Sequence, residues 1–226
     1  MRYKPPHHSR LAGFTLLELL VTIAIASILL STGVPSFRNF FDTLAVKGAG
    51  EQVYSHIQQA RSEAISRKQP IGVHFSANGS STWAYGLSDL NTGNSSCDPA
   101  LTDPAEAQAC TLVIDDGDGT VHGANGATDA GDKVLKRFTS AAHDGVRMSL
   151  ANFTHASGIP KIVFEPVRGT AMDSAGGDST GNILLVSEGG RKLLVKVSIL
   201  GQVRVCSPDG SVSGYRDAAP ADDTDC

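Results

Sequence analysis

Two periodicities divide this chain. Residues 14–34 are apolar almost without a break, and Glu18 is the only charge among them. A run of that length matches the about 20 residues a helix needs to cross a bilayer core of roughly 30 Å. Further on, Val46, Val53, Ile57, Ala60 and Ala64 recur at spacings of 7, 4, 3 and 4, which is one stripe on a helix. Pro35, next to Gly33 in the turn before it, predicts a kink between the two stretches, because proline removes a backbone donor and clashes with the preceding turn. Gly48 and Gly50 weaken the middle of the second stretch or mark a close approach there, and Pro70 is expected to end it.

After Pro70 the period changes to two. Alternation predicts strands over residues 71–75, 82–87, 111–114, 134–138, 146–150, 162–165, 182–187, 192–199 and 203–206. Glu188-Gly189-Gly190-Arg191 is a hairpin turn signal between two of them. The expected fold is α+β: a long N-terminal helix, half membrane-spanning and half amphipathic, packed on an antiparallel β-sheet body. The organisation that follows is a leader over residues 1–13, a transmembrane helix over 14–35, an amphipathic half over 36–69 and a β-rich domain over 70–226.

Charge gives the first stretch a direction. The leader carries Arg2, Lys4 and Arg10 and no acidic residue. Such a leader stays cytoplasmic and the remainder crosses the membrane. Glu18 then lies in hydrocarbon at a cost of about 3 kcal/mol, which marks it as functional and in need of a cation. A cut between Gly13 and Phe14 supplies one, since the new amine of a neighbouring subunit can pair with Glu18 and set the register of packed helices. Two plainer readings stand beside this. A secretory signal has the same charged start, with Ala24-Ile25-Ala26 as its small-residue cut site, but its apolar core excludes a carboxylate. A simple anchor leaves Glu18 without a purpose.

Gly13-Phe14-Thr15-Leu16-Leu17-Glu18 resembles the type III signal of type IV pilins and type II secretion pseudopilins. The resemblance implies that a prepilin peptidase cleaves after Gly13 and methylates Phe14, and that Glu18 guides assembly. Further blocks resemble the FimT, FimU and GspH group of minor pilins: residues 58–71 around Gln58-Gln59-Ala60-Arg61, Gly131-Asp132-Lys133-Val134-Leu135, Phe164-Glu165-Pro166 with Gly169, and residues 196–206. Residues 89–130 depart from that pattern and read as an insertion. The implied role is a minor pilin that primes fibre assembly or couples a tip complex to the major pilin. Its partners are then other minor pilins, the major pilin, the prepilin peptidase and the inner membrane. The body is implied to be periplasmic, and extracellular once in a pilus. A GspH-like pseudopilin of type II secretion is the nearest alternative.

Composition adds three points. Losing the leader's three cations takes the formal net charge from −4 to −7. An acidic body is a poor general partner for nucleic acid, which is bound through Lys and Arg. A local patch is still open to it. FimT proteins similar to this one take up DNA through a Gly-Arg-x-Arg motif, and Gly201-Gln202-Val203-Arg204 stands in its place here with Arg204 kept and the first arginine replaced. Alternation sets Lys192 and Lys196 on one side of their strand as further candidates, with Arg191 and Arg216 nearby.

The four cysteines, Cys97, Cys110, Cys206 and Cys226, fit disulfides in an exported chain. Four allow three connectivities, and local pairing, Cys97 with Cys110 and Cys206 with Cys226, is the expectation. Their spacing lacks the close pairs of a zinc site. Asp115-Asp116-Gly117-Asp118-Gly119, with Asp129 and Asp132, invites a calcium reading, but Thr120 stands where a ligand belongs and no Glu closes the loop, so a solvated turn is expected. His56, His74, His122, His143 and His155 show no metal-ligand spacing, and no nucleophile elbow or phosphate loop occurs. Neither catalysis nor a cofactor or metal is expected.

Overall fold

A computed structural model describes residues 14–76, 79–89, 96–115, 132–153, 159–172 and 179–217, without the side chains of Thr32, Val34, Pro35 and Ser36. The leader with Gly13, most of the acidic stretch, His122, His155 and Cys226 lie outside the described residues. The chain divides into two compact units, Met1–Phe40 and Phe41–Cys226.

The first helix, α1 (Leu16–Arg67), contributes to both units. Its start is chemically marked. Thr15 stands just ahead of it, and its Oγ1 accepts the backbone N–H of Glu18 at 3.2 Å. Thr15-x-x-Glu18 is thus a capping-box sequence, with a carboxylate in the first turn where the helix dipole favours one. In the first unit, the large apolar side chains from Phe14 to Leu30 are exposed. The hydroxyls of Thr22, Ser27 and Ser31 turn back onto the carbonyls of Leu19, Ile23 and Ile28. These polar groups therefore need no water, as an apolar environment requires. Among the described residues no helix is long and apolar enough to cross a membrane. The described side chains of α1 run unbroken only to Ser31.

The second unit holds the core. Val46, Val53, Ile57, Ala60 and Ala64 are fully buried, and Ala49 joins them. Gly50 marks a close approach: a Cβ there would sit 2.1 Å from Leu193 Cδ2. The helix stops at Arg67, short of Pro70. Lys68 takes a left-handed φ of 55°. The Gln69 N–H then bonds the Ala64 carbonyl and the Lys68 N–H that of Ile65, a Schellman close. Pro70 follows an end already made.

Two five-stranded sheets and a two-stranded ribbon surround this helical stripe. The strands are β1 (Ile71–Phe75), β2 (Ala84–Asp89), β3 (Thr111–Val113), β4 (Lys133–Leu135), β5 (Arg137–Thr139), β6 (Arg147–Ala151), β7 (Lys161–Phe164), β8 (Ala171–Met172), β9 (Gly181–Val186), β10 (Lys192–Val197), β11 (Val203–Ser207) and β12 (Arg216–Asp217). One sheet has the order β5-β2-β1-β7-β8, the other β12-β11-β10-β9-β6, and β3 pairs with β4. All pairings are antiparallel except β11 with β12. Ile71, Val73 and Phe75 from the first sheet, and Ile183, Leu193 and Val195 from the second, share one core with α1.

The strand expected over 134–138 is two strands. Lys136 is the pivot: its N–H bonds the Cys110 carbonyl while its carbonyl accepts the Leu87 N–H. The chain thereby leaves the ribbon and joins the first sheet. The strand expected over 192–199 ends at Val197, because residues 198–201 form the turn into β11. The strand over 82–87 begins two residues later than alternation suggests, and the two-residue strands β8 and β12 carry no readable period.

His74 on β1 is fully buried beside buried Lys161, its Nε2 2.9 Å from Ser88 Oγ. Burial, then the Lys161 charge, push its pKa down to about 3. The unfolded chain therefore takes up this proton first, and stability falls as pH drops from about 6.5 towards 3, by up to about 1.4 kcal/mol per pH unit. Urea titrations should show the native chain losing about 2 kcal/mol more than His74→Gln between pH 6.5 and 5. Parallel curves for the two proteins would mean that His74 is not held neutral.

Candidate functional site

In the first unit, Phe14 is 79% exposed and precedes the helix, and Glu18 lies one turn in on an exposed surface. Apart from Glu18, the described part of α1 up to Ser31 carries no charge. The chemistry available is a single carboxylate on an apolar rod, next to the residue whose amine cleavage would free. Gly13 lies outside the described residues.

In the second unit, three of the sequence blocks quoted above meet at one joint. Arg61 on α1 donates from Nε to the Gly169 carbonyl at 3.0 Å and from its terminal nitrogen to the Leu200 carbonyl at 3.4 Å. Glu165 shapes the Gly169 turn, its carboxylate taking the Arg168 N–H at 2.8 Å and its carbonyl the Gly169 N–H at 2.9 Å. Arg61 thus ties the helix to the turns that end β7 and β10. The role is structural.

The register of the second sheet collects its cations on one side. Lys196 lies directly opposite Arg204, and Asn182 opposite Lys196. Arg216 pairs with Cys206, and Arg147 and Lys192 both pair with Val186. Directly opposed residues share a face. That face, turned away from Leu193 and Val195, carries Arg147, Lys192, Lys196, Arg204 and Arg216 and no acidic strand residue. Arg191 is not free to join them, since its guanidinium donates to the Ser211 carbonyl.

Two clefts flank Arg204. One of about 520 Å³ is lined by Glu51 and Tyr54 from α1, by β11, and by Tyr215 and Arg216. The other, of about 410 Å³, is lined by Lys196, Arg204, Gln202 and the exposed Leu200. Arg147, Tyr54 and Tyr215 were not legible as members of this region. They come from three separated segments: the helix and the chain before β12 bring Tyr54 and Tyr215 to the cleft beside Arg204, while Arg147 shares only the sheet face, on the far edge strand β6.

The other expected chemistry is structural. Cys97 and Cys110 form a disulfide closing a separation of 13 residues. Cys206 is also disulfide-bonded, while Cys226 lies outside the described residues. His56 Nδ1 meets Tyr85 OH at 2.8 Å and its ring stacks on Phe138; burial, then the Lys136 charge, lower its pKa. His143 stacks on Trp83 and contacts Gln52, and burial lowers its pKa too. Asp115 is exposed, Asp132 is buried, and no group of metal-ligating side chains occurs among the described residues.

The family model of the type II transport protein GspH matches residues 49–202, and that of the prokaryotic N-terminal methylation motif matches residues 9–34. No curated protein matches the chain. Among solved structures, the type IV minor pilin FimU of Pseudomonas aeruginosa is 13% identical, with a TM-score of 0.40 over 74% of this chain and 91% of that one. A second crystal form of FimU, also 13% identical, gives 0.37 over 70% of this chain and 90% of that one. The minor pseudopilin EpsH from the type 2 secretion system of Vibrio cholerae is 12% identical, with a TM-score of 0.39 over 72% of this chain and 97% of that one. Membership therefore rests on the family model, which spans more than half of the residues: the chain belongs to the GspH family of minor pilins and pseudopilins, which are structural subunits and not enzymes.

Proposed function

We propose that this chain is a minor pilin of type IV pili that primes fibre assembly or couples the tip complex to the major pilin. The observation that carries this reading is the first unit: an apolar helix surface from Phe14 to Leu30 with one carboxylate, Glu18, beside a methylation motif. Such a surface demands lipid before assembly and other helices after it. In this reading the leader over residues 1–13 is cytoplasmic, the chain crosses the inner membrane once, and the body waits in the periplasm. Prepilin peptidase cuts after Gly13, Phe14 is methylated, and the Phe14 amine of a neighbour pairs with Glu18.

A second reading, reception of DNA, is favoured by the cross-strand pairing of Lys196 with Arg204 on a face free of acidic strand residues. One strain separates the two. Deleting the gene should abolish or sharply reduce surface pili, restored by the native gene. Normal pili, together with salt-sensitive DNA binding by the protein that Arg204→Ala removes, would favour DNA reception instead. Normal pili with impaired protein secretion would point to the pseudopilin role.

A further inference from the structure

We propose that the open edge of β11 docks an extended segment of a neighbouring pilin subunit, one whose side chains alternate between apolar and acidic. That the partner is a pilin rests on the assembly role proposed above. The docking edge itself is read from the sheet.

On one side β11 is paired by β10. On the other, β12 is registered only against Cys206 and Ser207, which leaves the start of β11 without a neighbour there among the described residues. The Gln202 carbonyl points towards β10, since it accepts the Ser198 N–H across the turn at 2.9 Å. Peptide groups alternate along a strand, so the N–H and C=O of Val203 and the N–H of Val205 point to the open edge, while the parallel pairing of Arg216 takes the Val205 carbonyl. An uncovered edge of this kind is a template for another strand. Here it forms the floor of the cleft of about 520 Å³, with Tyr54 on the helix side and Tyr215 and Arg216 at one end.

The walls set the sequence of the guest. Val203 shares its face with Val197, towards the core, and Arg204 shares the opposite face with Lys196. A strand laid beside them presents alternate residues to Tyr54 and Tyr215 on one side and to Arg204 and Arg216 on the other. The first set calls for apolar side chains. The second calls for carboxylates, because neither arginine is in an ion pair among the described residues. Glu51, the acidic residue lining the cleft, is engaged: Tyr215 OH donates to it at 2.9 Å, and burial and Glu51 itself hold the phenol's pKa up at about 12. Lys47 steadies Tyr215 from above, its Nζ 5.6 Å from the ring centre and 2.8 Å from the Ser213 carbonyl. A phosphate backbone would use the cations but leave the main-chain edge unpaired, which is why a peptide is the better guest.

The test uses the full chain in detergent micelles and two synthetic peptides. One has a Val-Asp-Val-Asp-Val centre and the other has Lys in place of each Asp. The Asp peptide should bind and slow amide exchange at Val203 and Val205 by about tenfold or more, and the Lys peptide should not. Arg204→Glu with Arg216→Glu should weaken the Asp peptide by about tenfold or more and admit the Lys peptide. Equal binding of both peptides, or binding without protection at those two amides, overturns the proposal. So does protection that rises with chain concentration in the absence of peptide, because a second copy then occupies the edge. The native exchange pattern decides the matter even if the double variant fails to fold. Failure here alongside loss of pili on gene deletion would leave the assembly role standing.

Discussion

Glu18→Ala is expected to leave the chain cleaved and membrane-bound yet exclude it from fibres. The carboxylate is the sole charge in residues 14–34. Holding it in an apolar environment costs about 3 kcal/mol, which a partner cation offsets. In the proposed pairing the neighbour's Phe14 amine supplies that cation. Removing one member of such a pair costs about 3–5 kcal/mol, roughly a hundredfold or more in an association constant. The structure supplies a rival role, since Glu18 also stands at the capping-box position opposite Thr15. The two roles separate cleanly. The Thr15 hydroxyl bonds the backbone of residue 18, which every substitution except proline keeps. Glu18→Gln retains the hydrogen-bonding capacity of the box and loses only the charge. Both variants should be missing from sheared fibres while present, processed, in membranes. A Glu18→Gln chain that enters fibres normally would reduce Glu18 to a cap.

The largest loss of stability is expected at Gly201. Its φ is +71°, and a Cβ there would lie 1.9 Å from the Gly169 carbonyl oxygen. That same carbonyl accepts Arg61 Nε, so it cannot withdraw without breaking the joint between helix and turns. Gly201→Ala should cost roughly 3 kcal/mol or more. In a body of this size that is a fall of about 6–12 °C in Tm. Gly190→Ala is the control, because its φ is +80° but nothing stands within 4 Å of the added carbon. It should cost only about 1 kcal/mol, the conformational penalty alone. Thermal unfolding of the two variants side by side checks this, and equal losses would mean that the turn yields at Gly169.

Much of this was legible because local chemistry repeats. The apolar run, the stripe ending at Ala64 and most strands are written in periods that follow from helix and strand geometry. Lys136 was not legible, since a residue that hands the chain from one sheet to another has the same alternation as a residue inside a strand. The end of α1 was misplaced for a related reason. Pro70 is the loudest breaker, but Lys68 in a left-handed conformation had already closed the helix. The cap at Thr15 had a readable signature, Thr15-x-x-Glu18 before an apolar run, hidden behind the stronger claim of the cleavage motif. Of the body's candidate surface, Arg204, Lys192 and Lys196 were visible as alternating cations. The cleft beside them was not, because Tyr54 and Tyr215 are separated from β11 in sequence and meet it only through packing.

The most direct measurement is mass spectrometry of purified, sheared fibres, reading the N-terminal peptide of this chain. The expected result is a peptide that begins at N-methylated Phe14, present at far fewer copies than the major pilin. A chain absent from fibres, or one whose N-terminus lies before Gly13 or after Ala26, would contradict it.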